Sequence, residues 1–146
     1  MKKKGNMQGL IRRAALVAIS ALCLMLTGCK EEKDSTAKIR DLEFTVTAEE
    51  NIPESLLAAI NEKKEAGFKL TYQDAGFLYI CVGYGQQATG GYSIAVNALY
   101  ETENAIYFDT TLLGPEPGQT ADRKNSPSYP YAVVKTEFID KPVVFE

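Results

Sequence analysis

The chain has no histidine, no tryptophan and only three cysteines among its 146 residues. Without histidine, neither a Ser-His-Asp nor a Cys-His nucleophile system can be assembled. Zinc sites of ordinary His and Cys composition are excluded as well, because Cys81 is the one cysteine outside the N-terminal apolar run and its end, and a single Cys cannot make a site. Cys81 lies in the apolar string Phe77-Leu78-Tyr79-Ile80-Cys81-Val82 and reads as a buried, inert thiol. Glycine-rich strand-to-helix phosphate loops are missing, since the glycines fall between strand-like segments. Ser35-Thr36-Ala37-Lys38 fits an S-x-x-K spacing, but it lies in a polar stretch without the companion S-D-N and K-T-G motifs. Asp122 and Glu116 can be posed as an acid and base pair, yet on an acidic chain they read as solvated loop carboxylates. No catalytic residue, metal or cofactor is expected.

What is present begins at the N-terminus. Lys2, Lys3, Lys4, Arg12 and Arg13 precede an apolar run from Ala14 to Leu26 that contains no acid. A basic start, a short apolar core and small residues after it make a secretory signal. The run is too short to cross a hydrocarbon core of about 30 Å comfortably. It ends in Leu26-Thr27-Gly28-Cys29, which resembles a bacterial lipobox. That resemblance implies cleavage after Gly28 and lipidation of Cys29, which would anchor the protein in the cell envelope on the outer face of a bacterial membrane. Cleavage would discard Cys23 and leave no partner for an intramolecular disulfide with Cys81. It would also shift the net charge from −3 to −8, because the signal carries five bases and no acids. An acidic surface repels phosphate backbones and anionic headgroups, so nucleic acid is not an expected partner.

Residues 29–40 read as a lipidated polar tether and residues 41–146 as one globular domain. From Asp41 to Thr47 the chain alternates, with Leu42, Phe44 and Val46 on one face of a predicted strand. A helix is predicted at about 52–66, with Asn51 and Glu54 as a capping box, Leu56, Leu57 and Ile60 as its buried stripe, and Gly67 as a left-handed closing residue. Strands are then predicted from Phe68, through a turn at Asp74-Ala75-Gly76, to Phe145. Phe77 to Tyr84 is apolar on both faces, as in a central covered strand. The expected fold is α+β: a mostly antiparallel sheet of about six to seven strands, folded into a sandwich or half-barrel, with one covering helix. Following strand directions upward and downward places the connection at Gly85 to Gly90 and the long loop from Gly114 to Pro130 at the same end.

Those two loops are the candidate binding surface. In Gly83-Tyr84-Gly85-Gln86-Gln87-Ala88-Thr89-Gly90-Gly91-Tyr92, two readings stand side by side. One is a hairpin loop in which Gly90 and Gly91 supply positive φ angles. The other is a bare backbone that a partner approaches closely, with Tyr84 or Tyr92 as anchor. The second loop opens with Gly114-Pro115-Glu116-Pro117-Gly118 and closes with Ser126-Pro127-Ser128-Tyr129-Pro130-Tyr131. Its length and prolines suit either a recognition loop or a proline-rich crossover pinned by Tyr129 and Tyr131.

From Leu78 to Lys135 the chain resembles the C-terminal domain of the PrcB family. The matching features are Leu78-Tyr79-Ile80-Cys81-Val82-Gly83, Thr89-Gly90-Gly91-Tyr92-Ser93-Ile94, the Gly-Pro loop, and Ser126-Pro127 followed by Tyr131-Ala132-Val133-Val134-Lys135. This resemblance implies a non-catalytic lipoprotein that associates with, or stabilises, an exported protease complex. A looser likeness is to chagasin-like inhibitors, whose Thr-Thr-Gly-Tyr-type loop is echoed by Ala88-Thr89-Gly90-Gly91-Tyr92; the Arg-Pro-Trp-type loop has no counterpart. It implies an alternative, loop-based inhibition of an exported peptidase. A small-ligand-binding lipoprotein is a further alternative, because a half-barrel mouth can hold a ligand.

Overall fold

The structure, a computed structural model, describes residues 36–118 and 126–146. The expected signal with Cys23, the lipobox-like end with Cys29, and most of the expected tether lie outside the described residues. Among those described, no helix is long and apolar enough to cross a membrane.

Among the described residues, eight strands and one α-helix follow one another as β1 (Lys38–Asp41), β2 (Phe44–Val46), α1 (Glu54–Lys63), β3 (Gly67–Asp74), β4 (Phe77–Tyr84), β5 (Ser93–Thr102), β6 (Ile106–Leu113), β7 (Tyr131–Glu137) and β8 (Val143–Phe145). They form two four-stranded sheets, ordered β1-β5-β6-β8 and β2-β7-β4-β3. Every pairing is antiparallel except β6 with β8. The α+β, sheet-dominated class agrees with the sequence expectation, and the sandwich is the form it takes.

The extra strand comes from a break the alternation does not show. Asp41 to Thr47 is not one strand, because Leu42 and Glu43 carry the chain from one sheet to the other. Leu42 is only 4% exposed and donates its N–H to Leu99 O at 2.9 Å, so its side chain enters the core between the sheets. Phe44 and Val46, expected on the same half-buried face, are instead exposed on the edge strand β2. Pairing also starts earlier than Asp41: residues 38–40, read as the end of the tether, lie in β1 beside β5.

The helix starts later than its capping pattern implies. Asn51 closes a 3-10 turn at Glu49–Asn51, and Pro53 occupies the N-cap with no side-chain cap. The residue before a proline is pushed out of the α region. Ile52 is accordingly extended (φ −78°, ψ 132°) and drops its side chain into the core, so the helix cannot begin before Pro53. At the other end Lys64 remains right-handed and donates to Ile60 O at 2.9 Å. Gly67 is not a left-handed cap; it is the first residue of β3, opposite Tyr84.

Strand β4 is covered on both sides, as its composition predicts. Leu78, Ile80 and Val82 face Leu99, Ile106 and Phe108 of the opposing sheet. Tyr79 and Cys81 face the other way, onto Leu56 and Ile60 of α1. The result is three layers: helix, sheet, sheet. Leu57, the third member of the predicted stripe, is half-buried at the margin. An ionic link ties the layers at one end, with Arg40 bonded to Glu101 at 2.8 Å and to Glu137 at 2.7 Å, and Lys141 to Glu101 at 2.6 Å.

Candidate functional site: the end loops

Two loops meet at the end of the sandwich where β4 and β6 finish. Although β4 and β5 belong to different sheets, the chain still reverses direction at each connection, which puts 85–92 beside 114–130. The contact is a bridge between Gln87 and Ser128. Gln87 N donates to Ser128 O at 2.8 Å, and Ser128 N returns a bond to Gln87 O at 3.0 Å. Ser128 Oγ also donates to Thr89 O at 2.7 Å. Gln87 Nε2 reaches back to Tyr84 O at 3.2 Å, closing the base of the first loop. The side-by-side placement expected from strand directions is thus observed, with residues 119–125 of the second loop outside the described residues.

Glycine geometry decides how the first loop leaves β4. Gly85 has φ +73°, and a Cβ there would lie 3.0 Å from Gly67 N. The close approach lets Gln86 N donate to Glu65 O at 3.1 Å, fastening the loop to the end of α1. The hairpin reading is overturned, because β4 and β5 lie in different sheets and do not pair; of its two glycines, Gly91 has a positive φ of +93° and Gly90 does not. Gly90 instead presents open backbone, and a Cβ added there would meet nothing within 4 Å. Tyr92 lies before β5 and its ring edge is 3.8 Å from where a Gly114 Cβ would be, so Gly114 and Tyr92 touch across the two loops. Pro115 is half-buried next to them.

The four tyrosines separate into two kinds. Tyr84 packs against the inter-sheet core, and its hydroxyl is bonded to Thr110 O at 3.1 Å and Thr110 Oγ1 at 2.8 Å. Tyr131 packs on the opposite face, against the helix layer, and donates to Glu49 Oε2 at 2.8 Å. Burial, reinforced by the Glu49 carboxylate, pushes its phenol up to about 12. Both hydroxyls therefore have internal partners. Tyr92 and Tyr129 are half-buried and have no hydroxyl bond to another described residue; the Tyr129 ring lies 5.9 Å from Lys64 Nζ. Tyr84 shares the even-numbered parity of Leu78, Ile80 and Val82, a signal in the sequence for its inward face. Gln87 and Ser128, which hold the loops together, have no such signal, because polar loop residues look alike until the topology pairs them.

No group of three or more potential metal-ligating His, Cys, Asp or Glu side chains occurs among the described residues. Cys81 is fully buried, and burial pushes its thiol up to about 12, well away from a reactive thiolate.

Among known protein families, the PrcB C-terminal family model matches residues 78–137, a span from the start of β4 to the end of β7 that includes both end loops. Over that span the chain resembles the PrcB family. No curated protein and no solved structure matches the chain.

Proposed function

We propose that this protein is a non-catalytic, lipid-anchored subunit that holds or stabilises an exported protease through its end loops. The reading is supported most by one observation: the Gln87–Ser128 bridge joins the two loops into a single surface inside the span that resembles PrcB. The surface has the composition of a docking site, with bare backbone at Gly90, prolines flanking the second loop, and Tyr92 and Tyr129 as half-buried aromatics. Anchoring through Cys29 would hold that surface close to the outer face of the membrane, where an exported partner is found.

The test is co-purification. Full-length chain, extracted from its native membranes in detergent, is expected to bring down an envelope peptidase. Tyr92→Ala and Tyr129→Ala are expected to reduce the recovered peptidase while shifting the thermal midpoint little. Equal loss of capture and of stability would assign both tyrosines to packing. Recovered peptidase that is silent until the chain is removed would instead support the inhibitor reading. Serine in place of Cys29 is expected to release the chain from the membrane fraction.

A further inference from the structure

Each sheet has two edges, and three of the four resulting edge strands are blunt. Strand β1 has four residues and a register shift; β2 and β8 have three residues each. Strand β3 differs. It pairs with β4 without interruption from Gly67↔Tyr84 to Asp74↔Phe77, and its other side has no strand among the described residues. It contains no proline and no bulge, and the one edge-closing device on its inward face is the charge of Lys69, which an acidic partner would neutralise. Such an edge presents a regular row of unused N–H and C=O groups over eight residues.

The sandwich is also open along this edge. Lys69, Thr71 and Gln73 share the face of their cross-strand partners Val82, Ile80 and Leu78, and so point towards the other sheet, whose nearest strand is the short β8. Beside the first half of β3 lies a cleft of about 470 Å³ floored by Val82, Tyr84 and Phe145. Beside the second half lies one of about 290 Å³ bounded by Leu78, Ile139 and Val143. Lys69 reaches into the opening with its ammonium 5.5 Å from the Phe145 ring centroid; Glu146 lines the same cleft, but no carboxylate among the described residues forms an ion pair with Lys69.

We propose that the free edge of β3 accepts an extended peptide segment of a partner protein, carrying an acidic side chain opposite Lys69 and apolar side chains that enter the seam. Backbone groups of β3 would supply the hydrogen bonds. Residues on the same face of adjacent strands interact directly, so the acidic residue must share the face of Lys69, Thr71 and Gln73. A second copy of this chain fits less well. The only carboxylate in β3 is Asp74, which has the parity of Phe68, Leu70 and Tyr72 and faces the other way in any paired register. Self-pairing would place Thr71, Gln73 or another Lys69 opposite Lys69. This edge begins at Gly67, beside Gly85 of the first end loop, and runs away from the Gln87–Ser128 bridge, so its occupancy is tested apart from the function proposed for the loops.

The experiment uses full-length chain in detergent micelles and three peptide probes as long as β3. One alternates valine and threonine with a central glutamate; the second has lysine at that position; the third is the glutamate peptide with alternate backbone nitrogens methylated. Amide hydrogen exchange is followed across Gly67–Asp74. The glutamate peptide is expected to slow exchange of the outward-facing β3 amides and to bind about three- to fivefold more tightly than the lysine peptide, as befits one exposed charge pair. Lys69→Glu is expected to reverse that order, and methylation to abolish protection when it falls on the donors that face β3. Lys69 is exposed, and an unchanged thermal midpoint would show that the variant is folded. Unaltered β3 exchange with every peptide, or equal binding of the glutamate and lysine peptides, would overturn the proposal. Protection of β3 that depends on protein concentration without peptide would assign the edge to a second copy and overturn it too.

Discussion

Gly83 is where β4 passes beneath an aromatic ring, and the absence of its side chain is what allows the two strands to pair there. A Cβ on Gly83 would lie 2.1 Å from Phe68 Cε1, a distance no real contact shows. Phe68 is its cross-strand partner and is itself buried, so the ring cannot swing into solvent to make room. Gly83→Ala is therefore expected to lose about 1–3 kcal/mol in urea unfolding, the usual cost of overpacking. Adding Phe68→Leu should recover part of that loss, because residues in contact couple. A second residue-scale consequence concerns acid. The Lys141 ammonium, and then the Arg40 guanidinium, hold the Glu101 carboxyl below its ordinary value of 4.5. A carboxylate depressed in the folded state stabilises the protein above its unfolded pKa, and that contribution disappears as the pH falls through the folded value. The melting temperature of the native sequence is expected to fall more steeply below pH 4.5 than that of Glu101→Gln, with the two curves converging in strong acid. Parallel curves would show that the ionic link contributes no pH-dependent stability.

At the scale of the element, α1 separates what periodicity can and cannot reveal. Its buried face was legible: Leu56 and Ile60 recur at helical spacing and both are buried. Its start was not, because the Asn51–Glu54 capping pattern competes with the effect of Pro53 on Ile52, and the steric effect prevails. The difference has a measurable result. A working N-cap costs about 0.5–2 kcal/mol when replaced by alanine. Asn51 makes no side-chain cap here, so Asn51→Ala is expected to change stability by less than about 0.5 kcal/mol, whereas Leu56→Ala should cost about 2–5 kcal/mol through the cavity it leaves. Denaturant unfolding of both variants compares them directly. The split of β1 from β2 was illegible for a related reason: Leu42, Phe44 and Val46 alternate in sequence, but only Leu42 reaches a core, since the chain changes sheets after it. The neighbouring position of the end loops was legible because it depends only on strand direction. Which tyrosines were free to meet a partner was not fully legible, since Tyr84 and Tyr131 face opposite sides of one sheet and each finds an internal acceptor.

On the scale of the whole molecule, two cores share one sheet, and β4 belongs to both. Its even residues face the other sheet and its odd residues face the helix, so loss of either layer exposes β4 to water. Beyond the two packed cores, the two sheets are linked by the Arg40–Glu137 ion pair at one end and by the Tyr84 hydroxyl on Thr110 at the other. If the helix layer opened alone, the β4 residues beneath α1 would become accessible while the sandwich remained folded. Cys81 reports that event, because it is fully buried beneath Leu56 and Ile60 and its thiol is pushed up to about 12. In a variant with serine at positions 23 and 29, Cys81 is expected to react with an aromatic disulfide reagent only as fast as the protein unfolds globally, since the thiolate forms only once water reaches it. The opening free energy from labelling should then equal that from urea unfolding. A labelling free energy several kcal/mol below the urea value would show that α1 lifts away independently, and Leu56→Ala would lower it further without an equal loss of sandwich stability. Equality of the two energies is the outcome expected of a strand that contributes to both cores at once.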